Sequence, residues 1–423
     1  LSKILFDEGG DINMNANVGR LKVNVFAKSV GMPINNAKVT ITDRDSLKTI
    51  EEFRTDSSGN TPTVELSAPP VEYSLEYSNQ KPYSEYNVFI DADGFDRTVF
   101  YGVQIFSTST AIQNATMNYR TEIAPSVQRF LIEEPVLWGV YSPKIIESEV
   151  KPLPESYGYV VLPNVVIPEY IIVHLGTPSN ANAQNVWVTY KDYIKNVASS
   201  EIYSTWPAET IRANVIAIIS FTLNRVYTEW YRGKGYDYTV TNTTAFDQAF
   251  NFGRNIFDEI SIIVDDIFST YLTKPDIRQP LLTQYCDGKR YMCEKGMYQW
   301  GSKDLGDRGY SAFDILKSYY GYDTYLETAK KVEGIPRSYG GTVLTDGSSG
   351  NDVKTIQEQL NAISINFPKI PKLPVTGFYG EQTHNAVKIF QEIFGLPQTG
   401  SVDFGTWYQI SDIFVSVKKL AEL

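Results

Sequence analysis

The sequence predicts a multidomain chain with an all-β N-terminal part, a central mixed α+β domain and a small C-terminal helical bundle. Three observations carry this. From Gly19 to about residue 106, short runs alternate apolar and polar side chains between turn residues, the period of half-buried strands. Residues 191–227 read as two helical patterns joined by a tight break, and the second is apolar on nearly every side, as a buried helix is. Near the end, Val353, Ile356, Leu360 and Ile363 share one helical face. A chain of 423 residues has room for two to four such domains.

Composition narrows the function classes. The chain is 42% hydrophobic and 13% aromatic with 29 Tyr, which is globular material. A net charge of −11 argues against nucleic acid as a partner, because phosphate binding needs clustered Lys and Arg. No run of about 18 apolar residues supplies a transmembrane helix. The two Cys (Cys286, Cys293) and two His (His174, His384) are too few and too scattered for a local four-ligand Cys/His zinc motif. Neither His is accompanied by a nucleophile elbow, so a Ser-His-Asp triad has no support.

Residues 1–18 are polar and Asn-rich and read as a loosely ordered leader. Over 19–118, Leu21, Val23, Val25 and Ala27 alternate with polar residues, and Ala37, Val39 and Ile41 do the same after a Pro33/Asn35/Asn36 turn. Further strands are expected at 63–66, 73–77, 86–90 and 99–106, with turns at 55–60 and 91–94; this spacing is that of a β-sandwich. Seven prolines then punctuate 119–170, from Pro125 to Pro168, and no period persists. Residues 119–165 therefore read as a Pro-rich linker, the kind of segment that proteases cut.

The central domain is expected over 166–335. Strands at 169–175 and 184–190 lead into a helix at 192–200; His174, alone in an apolar strand, reads as a packed residue. A long helix starts near Pro207, which a first helical turn tolerates, with Glu209 at the positive end of its dipole. Glu201 falls in the corner between the two helices, against Ile202, Tyr203 and Trp206. Apolar surroundings of this kind let a carboxylic acid donate a proton near neutral pH. Residues 285–320 hold Gly296, Gly301, Gly306 and Gly309, and read as a Gly-rich loop. A helix at 314–319 follows, started by the capping pattern Ser311-Ala312-Phe313-Asp314. Gln299 and nearby aromatics, among them Tyr298, suit the amides and faces of a sugar ligand.

Two signatures here resemble the SpoIID-type domain of bacterial sporulation and cell-wall proteins. The first is Asp192-Tyr193-Ile194, Val197, Glu201-Ile202, Trp206-Pro207 and Glu209; the second is Gly296-Met297-Tyr298-Gln299-Trp300-Gly301, with Phe313, Ile315-Leu316 and Tyr319-Tyr320-Gly321. The resemblance implies that Glu201 is the general acid/base of a lytic transglycosylase; beside it, Gln299, Tyr298 and Ser302 are the expected substrate-positioning groups. One carboxylate suffices for that reaction, whereas glycoside hydrolysis usually takes two. No cofactor is required. The family usually carries a His before the Gly-Met core, with Cys nearby, and some members bind zinc there. Cys293 stands at that position and Cys286 upstream, which leaves three readings: a zinc site, a disulfide, or two buried thiols.

The remaining likenesses flank this domain. The first 118 residues resemble the carboxypeptidase-regulatory or transthyretin-like sandwiches through the paired strands, the 55–60 loop and Ala92-Asp93-Gly94-Phe95. Residues 340–415 resemble the three-helix peptidoglycan-binding domain through Gly377-Phe378-Tyr379-Gly380, Thr383, Phe390-Gln391, Gly395-Leu396, Gly400-Ser401-Val402 and Trp407. The whole order resembles the clostridial spore-cortex-lytic enzymes. That resemblance implies a precursor in the spore, outside its core, acting on cortex peptidoglycan. A subtilisin-like Csp germination protease would remove the N-terminal region by cutting within 119–165. The competing readings are a muramidase or amidase acting on cortex, or a non-catalytic wall-binding scaffold.

Overall fold

The computed structural model describes residues 17–28, 32–120, 126–151, 165–168, 170–331 and 342–418. The leader up to residue 16, and residues 121–125 and 152–164 of the 119–165 linker in which cutting is expected, lie outside them.

The N-terminal part holds strands β1 (Val18–Ala27), β2 (Lys38–Asp43), β3 (Thr49–Arg54), β4 (Val64–Ser67), β5 (Ser84–Asp91), β6 (Arg97–Ile105), β7 (Thr110–Met117) and β8 (Val127–Leu131). Helix α1 (Glu72–Leu75) stands where a strand at 73–77 is expected. Pro69 and Pro70 stop the preceding strand, and the turn carries Ser74 onto Trp206, whose Nε1 donates to the Ser74 carbonyl at 2.9 Å. The alternation in β1 buries Leu21, Val23 and Val25 on one face, as its period of two requires.

Two sheets result. One has the order β3-β2-β5-β6-β8, so the Pro-rich stretch contributes an edge strand that pairs in parallel with β6. The other begins with β4, β1 and β7, and its fourth strand comes from the central part: β13 (Ile256–Phe257) pairs antiparallel with β7.

The central part begins with β9 (Val166–Ile167), β10 (Tyr170–His174) and β11 (Asn185–Thr189); β10 lies between β11 and β12 (Val240–Thr241). Helices α2 (Tyr190–Glu201), α3 (Ala208–Tyr227), α4 (Asp258–Ile267), α5 (Gln299–Asp307) and α6 (Ala312–Tyr320) complete it. Pro207 is the N-cap of α3, and α3 is buried without a break from Ala213 to Arg225.

Helix α5 occupies the stretch that reads as a glycine loop. Its glycines serve packing: a Cβ on Gly301 would come within 2.2 Å of the Tyr319 hydroxyl, and one on Gly306 within 2.0 Å of Thr210 Oγ1. Close approach to α6 and α3 outweighs the roughly 1 kcal/mol that each glycine costs a helix. Ser311 caps α6 by accepting from the Asp314 amide at 3.2 Å.

The N-terminal and central parts are not separate bodies on a tether. One apolar cluster runs from Leu21 through Phe106, Leu137, Tyr203, Phe257 and Trp300 to Ala329. Polar contacts seal the seam: Gln104 and Asn255 exchange backbone-to-amide bonds at 3.1 Å, and Glu259 accepts from Ser109 Oγ and the Thr110 amide at 2.7 and 3.0 Å. The C-terminal part has its own core. Helices α7 (Asn351–Asn366), α8 (Glu381–Ile393) and α9 (Phe404–Lys418) bury Val353, Ile356, Leu360, Val387, Phe390 and Trp407 together. No helix of the described residues is long and apolar enough to cross a membrane.

Candidate active site

Glu201 ends α2 and is 1% exposed. Thr189 caps the start of that helix, and its buried face sets the carboxylate against the break before α3. Oε1 accepts from the Ala249 amide at 2.9 Å and from the Tyr285 hydroxyl at 3.3 Å. Oε2 faces Gln299 Nε2 at 3.2 Å, and the same nitrogen reaches the Glu201 carbonyl at 3.4 Å. A buried carboxyl group with three donors is a satisfied one.

The partners are themselves held. Gln248 accepts from the hydroxyls of Tyr193 and Thr222 at 3.1 and 2.8 Å and donates to the Tyr285 hydroxyl at 3.1 Å. Burial, then the charge of Glu201, push the Tyr285 phenol well above its ordinary range, so it remains a donor. Gln299 is 1% exposed and its Oε1 has no hydrogen-bond partner. A half-turn of this amide exchanges Nε2 for Oε1. Gln299 can therefore donate to a carboxylate or accept from a carboxylic acid, and it suits both forms of an acid that gives up and regains a proton.

The other expected residues divide. Ser302 is fully buried and used within the scaffold: it donates to the Gln299 carbonyl at 2.6 Å and accepts from Asn214 Nδ2 at 2.8 Å, tying α5 to α3. Tyr298 points away from the carboxylate; its hydroxyl donates to the Cys293 carbonyl at 3.2 Å. It lines a cavity of about 530 Å³ with Tyr319, Lys295 and Glu294 on one side and residues 148–150 on the other.

Cys286 and Cys293 are joined as a disulfide with their Cα atoms 6.0 Å apart. Each sulfur is committed to the other, so the zinc reading of this pair gives way to the disulfide. Among the described residues no group of three or more His, Cys, Asp or Glu is arranged to hold a metal ion. His174 is packed, stacked on Tyr238 and bonded to Asn185 Oδ1 at 2.8 Å. Asp247 is fully buried and bound to Arg225, Tyr231 and Thr241.

The sequence reading missed what lies across this site. Residues 133–151 are a strap docked along the central part. The Val136 amide donates to the Ser200 carbonyl at 2.8 Å, and Leu137 enters the core. Arg290 donates to the Trp138 and Gly139 carbonyls at 2.7 Å, and the Ile145 amide to the Ala245 carbonyl at 2.7 Å.

Lys144 is only partly covered as a residue, but its ammonium is turned inward. It meets the Thr244 and Asp247 carbonyls and lies 4.7 Å from the centre of the Tyr285 ring. Burial lowers its pKa, opposed first by the charge of Glu201. Further on, Glu147 pairs with Arg225, and Gln279 bonds the Lys151 backbone in both directions at 2.9 Å. The only signal in this segment's sequence is the density of proline, which marks extended chain and not where it lies.

On the other flank, the N-terminal sheets cover the aromatic corner. Phe106 packs on Tyr203, Tyr77 on Trp300, and Ser74 on Thr205 and Trp206. Among the described residues, strap and sheets thus flank the corner in which Glu201 is 1% exposed.

Residues 349–410 match the family described as "Putative peptidoglycan binding domain". The chain is thus a multidomain protein of mixed helix and sheet with a peptidoglycan-binding domain region toward its C-terminal side, which supports peptidoglycan as a partner. No curated protein matches it. Among solved structures it is similar to the SleB N-terminal domain, at 28% identity over 18% of this chain and 99% of that one, with a TM-score of 0.16. It is also similar to the Bacillus anthracis TIE protein (17% identity, 24% of this chain and 17% of that one, TM-score 0.17). A mutant catechol 1,2-dioxygenase of Acinetobacter radioresistens is a third (15%, 26% and 55%, TM-score 0.19). Scores at this level carry no inference about activity.

Proposed function

We propose that the chain is the precursor of a spore cortex-lytic enzyme of the SleC type, a lytic transglycosylase with a SpoIID-type catalytic domain. The reading rests on one observation. A lone carboxyl group, Glu201, sits buried and fully hydrogen-bonded at the seam of the two signatures, in a chain that carries a peptidoglycan-binding domain.

The chemistry needs one proton carrier. The Glu201 carboxylic acid protonates the glycosidic oxygen leaving C1 of muramic acid, and the C1–O bond breaks. The resulting carboxylate takes the proton of the muramic 6-hydroxyl, and that oxygen bonds to C1, closing a 1,6-anhydro ring without consuming water. Gln299 follows the proton by turning its amide. The Ala249 amide and the Tyr285 hydroxyl hold Oε1 in place, which leaves Oε2 to work. Tyr298 positions the strand from the adjoining cavity, and Ser302 acts through Gln299.

The closed state is the precursor's. Strap and sheets exclude substrate, and a subtilisin-like Csp protease cutting within 119–165 removes them. The site of action is the cortex of the spore, outside its core. Mass spectrometry of cortex digested by the protease-treated chain is the test. Anhydromuramic ends are the expected product; reducing muramic ends, freed peptide stems or no cleavage would reject the assignment.

A further inference from the structure

The strap does more than exclude substrate, because it offers a carboxylate to a buried guanidinium. Arg225, in the last turn of α3, has a fully buried side chain. Its Nε donates to Asp247 Oδ1 and its Nη2 to the Phe246 carbonyl, both at 2.8 Å. Asp247 is fixed there in turn, accepting from the Tyr231 hydroxyl at 2.7 Å and from the amide and hydroxyl of Thr241 at 2.8 and 2.7 Å. These bonds all lie within the central part and persist when the strap goes. The other side of the guanidinium belongs to the strap: Nη1 and Nη2 donate to the two oxygens of Glu147 at 3.1 and 2.6 Å.

A planar fork with two parallel N–H groups is filled well only by a planar two-oxygen anion. Once the strap leaves, both donors lose their acceptor, and Asp247 is already saturated. The position is close to the chemistry. Residues 247–249 serve both ends, Asp247 binding Arg225 and the Ala249 amide binding Glu201. Lys144, between them on the strap, touches the Asp247 carbonyl and the Tyr285 ring. The strap thus lies against residues 244–247 with its own carboxylate in the fork.

We propose that Arg225 is the substrate-carboxylate anchor of the activated enzyme and that Glu147 occupies the anchor in the precursor. The ligand is a carboxylate on the glycan strand, carried by the peptide stem or, where muramic acid has no stem, by its lactyl group. The proposal rests on the lytic reading above.

The test uses the full chain with a sequence-specific protease site placed in residues 152–164, before and after cutting. The cut chain is given intact peptidoglycan, strands stripped of stems by an amidase, and strands whose carboxylates are coupled to a neutral amine. Neutralised strands are expected to lose about 10- to 100-fold in kcat/KM, mostly through KM, as removal of a binding contact does. Full activity on stripped strands that is lost when their freed lactyl carboxylates are neutralised assigns the lactyl carboxylate; a loss on stripping alone assigns the stem.

A second measurement avoids turnover. In the uncut chain, Glu147→Ala leaves the fork empty, and acetate is expected to raise the melting temperature of this variant but not of the wild type, with acetamide inert. Equal cleavage of neutralised and intact strands overturns the anchor while leaving the lytic reading standing. Failure of acetate to rescue Glu147→Ala overturns it as well. No cleavage of any strand removes the lytic reading, and the anchor's substrate with it.

Discussion

Replacing Glu201 by Gln separates catalysis from structure more cleanly than any other single change. The amide oxygen of Gln can accept from the Ala249 amide and the Tyr285 hydroxyl as Oε1 does now. Its NH2 then faces Gln299, whose amide turns so that the unpartnered Oε1 accepts. One new neutral hydrogen bond contributes about 0.5–1.5 kcal/mol. Against it stands the loss of a charge near the Lys144 ammonium, so the net change in stability is expected within about 1 kcal/mol. Catalysis has no such compensation. An amide neither gives nor takes the proton, and loss of general acid–base catalysis costs about 10²- to 10⁴-fold, or roughly 3–5 kcal/mol of barrier. The assay pairs thermal unfolding of the variant with anhydromuramic ends released per hour by the protease-treated chain. A variant that keeps more than a tenth of the activity would refute the role of Glu201. One that unfolds well below the wild type would show a structural carboxylate instead.

Four further outcomes follow from the structure. In the uncut chain, Glu147→Gln removes the charge facing Arg225 and Lys151; a side chain 14% exposed makes this about 2 kcal/mol, or about a 30-fold rise in strap-open molecules, read as the rate of trypsin cutting after Lys144. Burial raises the Glu147 pKa, but its bonds to Arg225 and Lys151 outweigh this and hold it below 4.5, so its contribution is present above that pH and is lost as pH falls through the lowered value. The strap should accordingly open as pH falls through that lowered value in the wild type and not further in Glu147→Gln, read as cutting by an acid-active protease such as pepsin; identical profiles would refute the link. Gly306→Ala should lower the melting temperature although alanine favours helix, because the new Cβ meets Thr210 Oγ1 and overpacking costs about 1–3 kcal/mol; a stabilised variant would mean that the α3–α5 contact is looser than described. Residues 342–418, with a core of their own, should fold alone and sediment with peptidoglycan; a soluble fragment left in the supernatant would refute binding by this part.

Local pattern and residue chemistry made a good part of this protein legible before any coordinates. The alternation of Leu21, Val23 and Val25, the all-round apolar run of α3 and the single-face stripe of α7 each report a short-range period, and each became the element it announces. The candidate acid was legible because Glu201 sits in a dense local motif, and Gln299 because its neighbours form a second one; the structure brings the two side chains to 3.2 Å. Glycine count misled at α5, where Gly301 and Gly306 exist for contact with Tyr319 and Thr210, partners that no local window contains.

What sequence pattern left open is the pairing of surfaces far apart in the chain. The stretch after residue 119 has no period, yet it supplies strand β8 and then the strap over Ser200, Tyr285 and Arg225. Lys144 and Glu147 are ordinary charged residues in isolation. Their meaning comes from partners on other elements, Asp247 and Arg225, reached only once α3 and the 246–250 loop are packed. Elements are specified by neighbours within a few residues, whereas closure of a site depends on the net free energy of docking whole elements. That quantity is a sum over distant contacts, and it leaves no periodic trace along the chain.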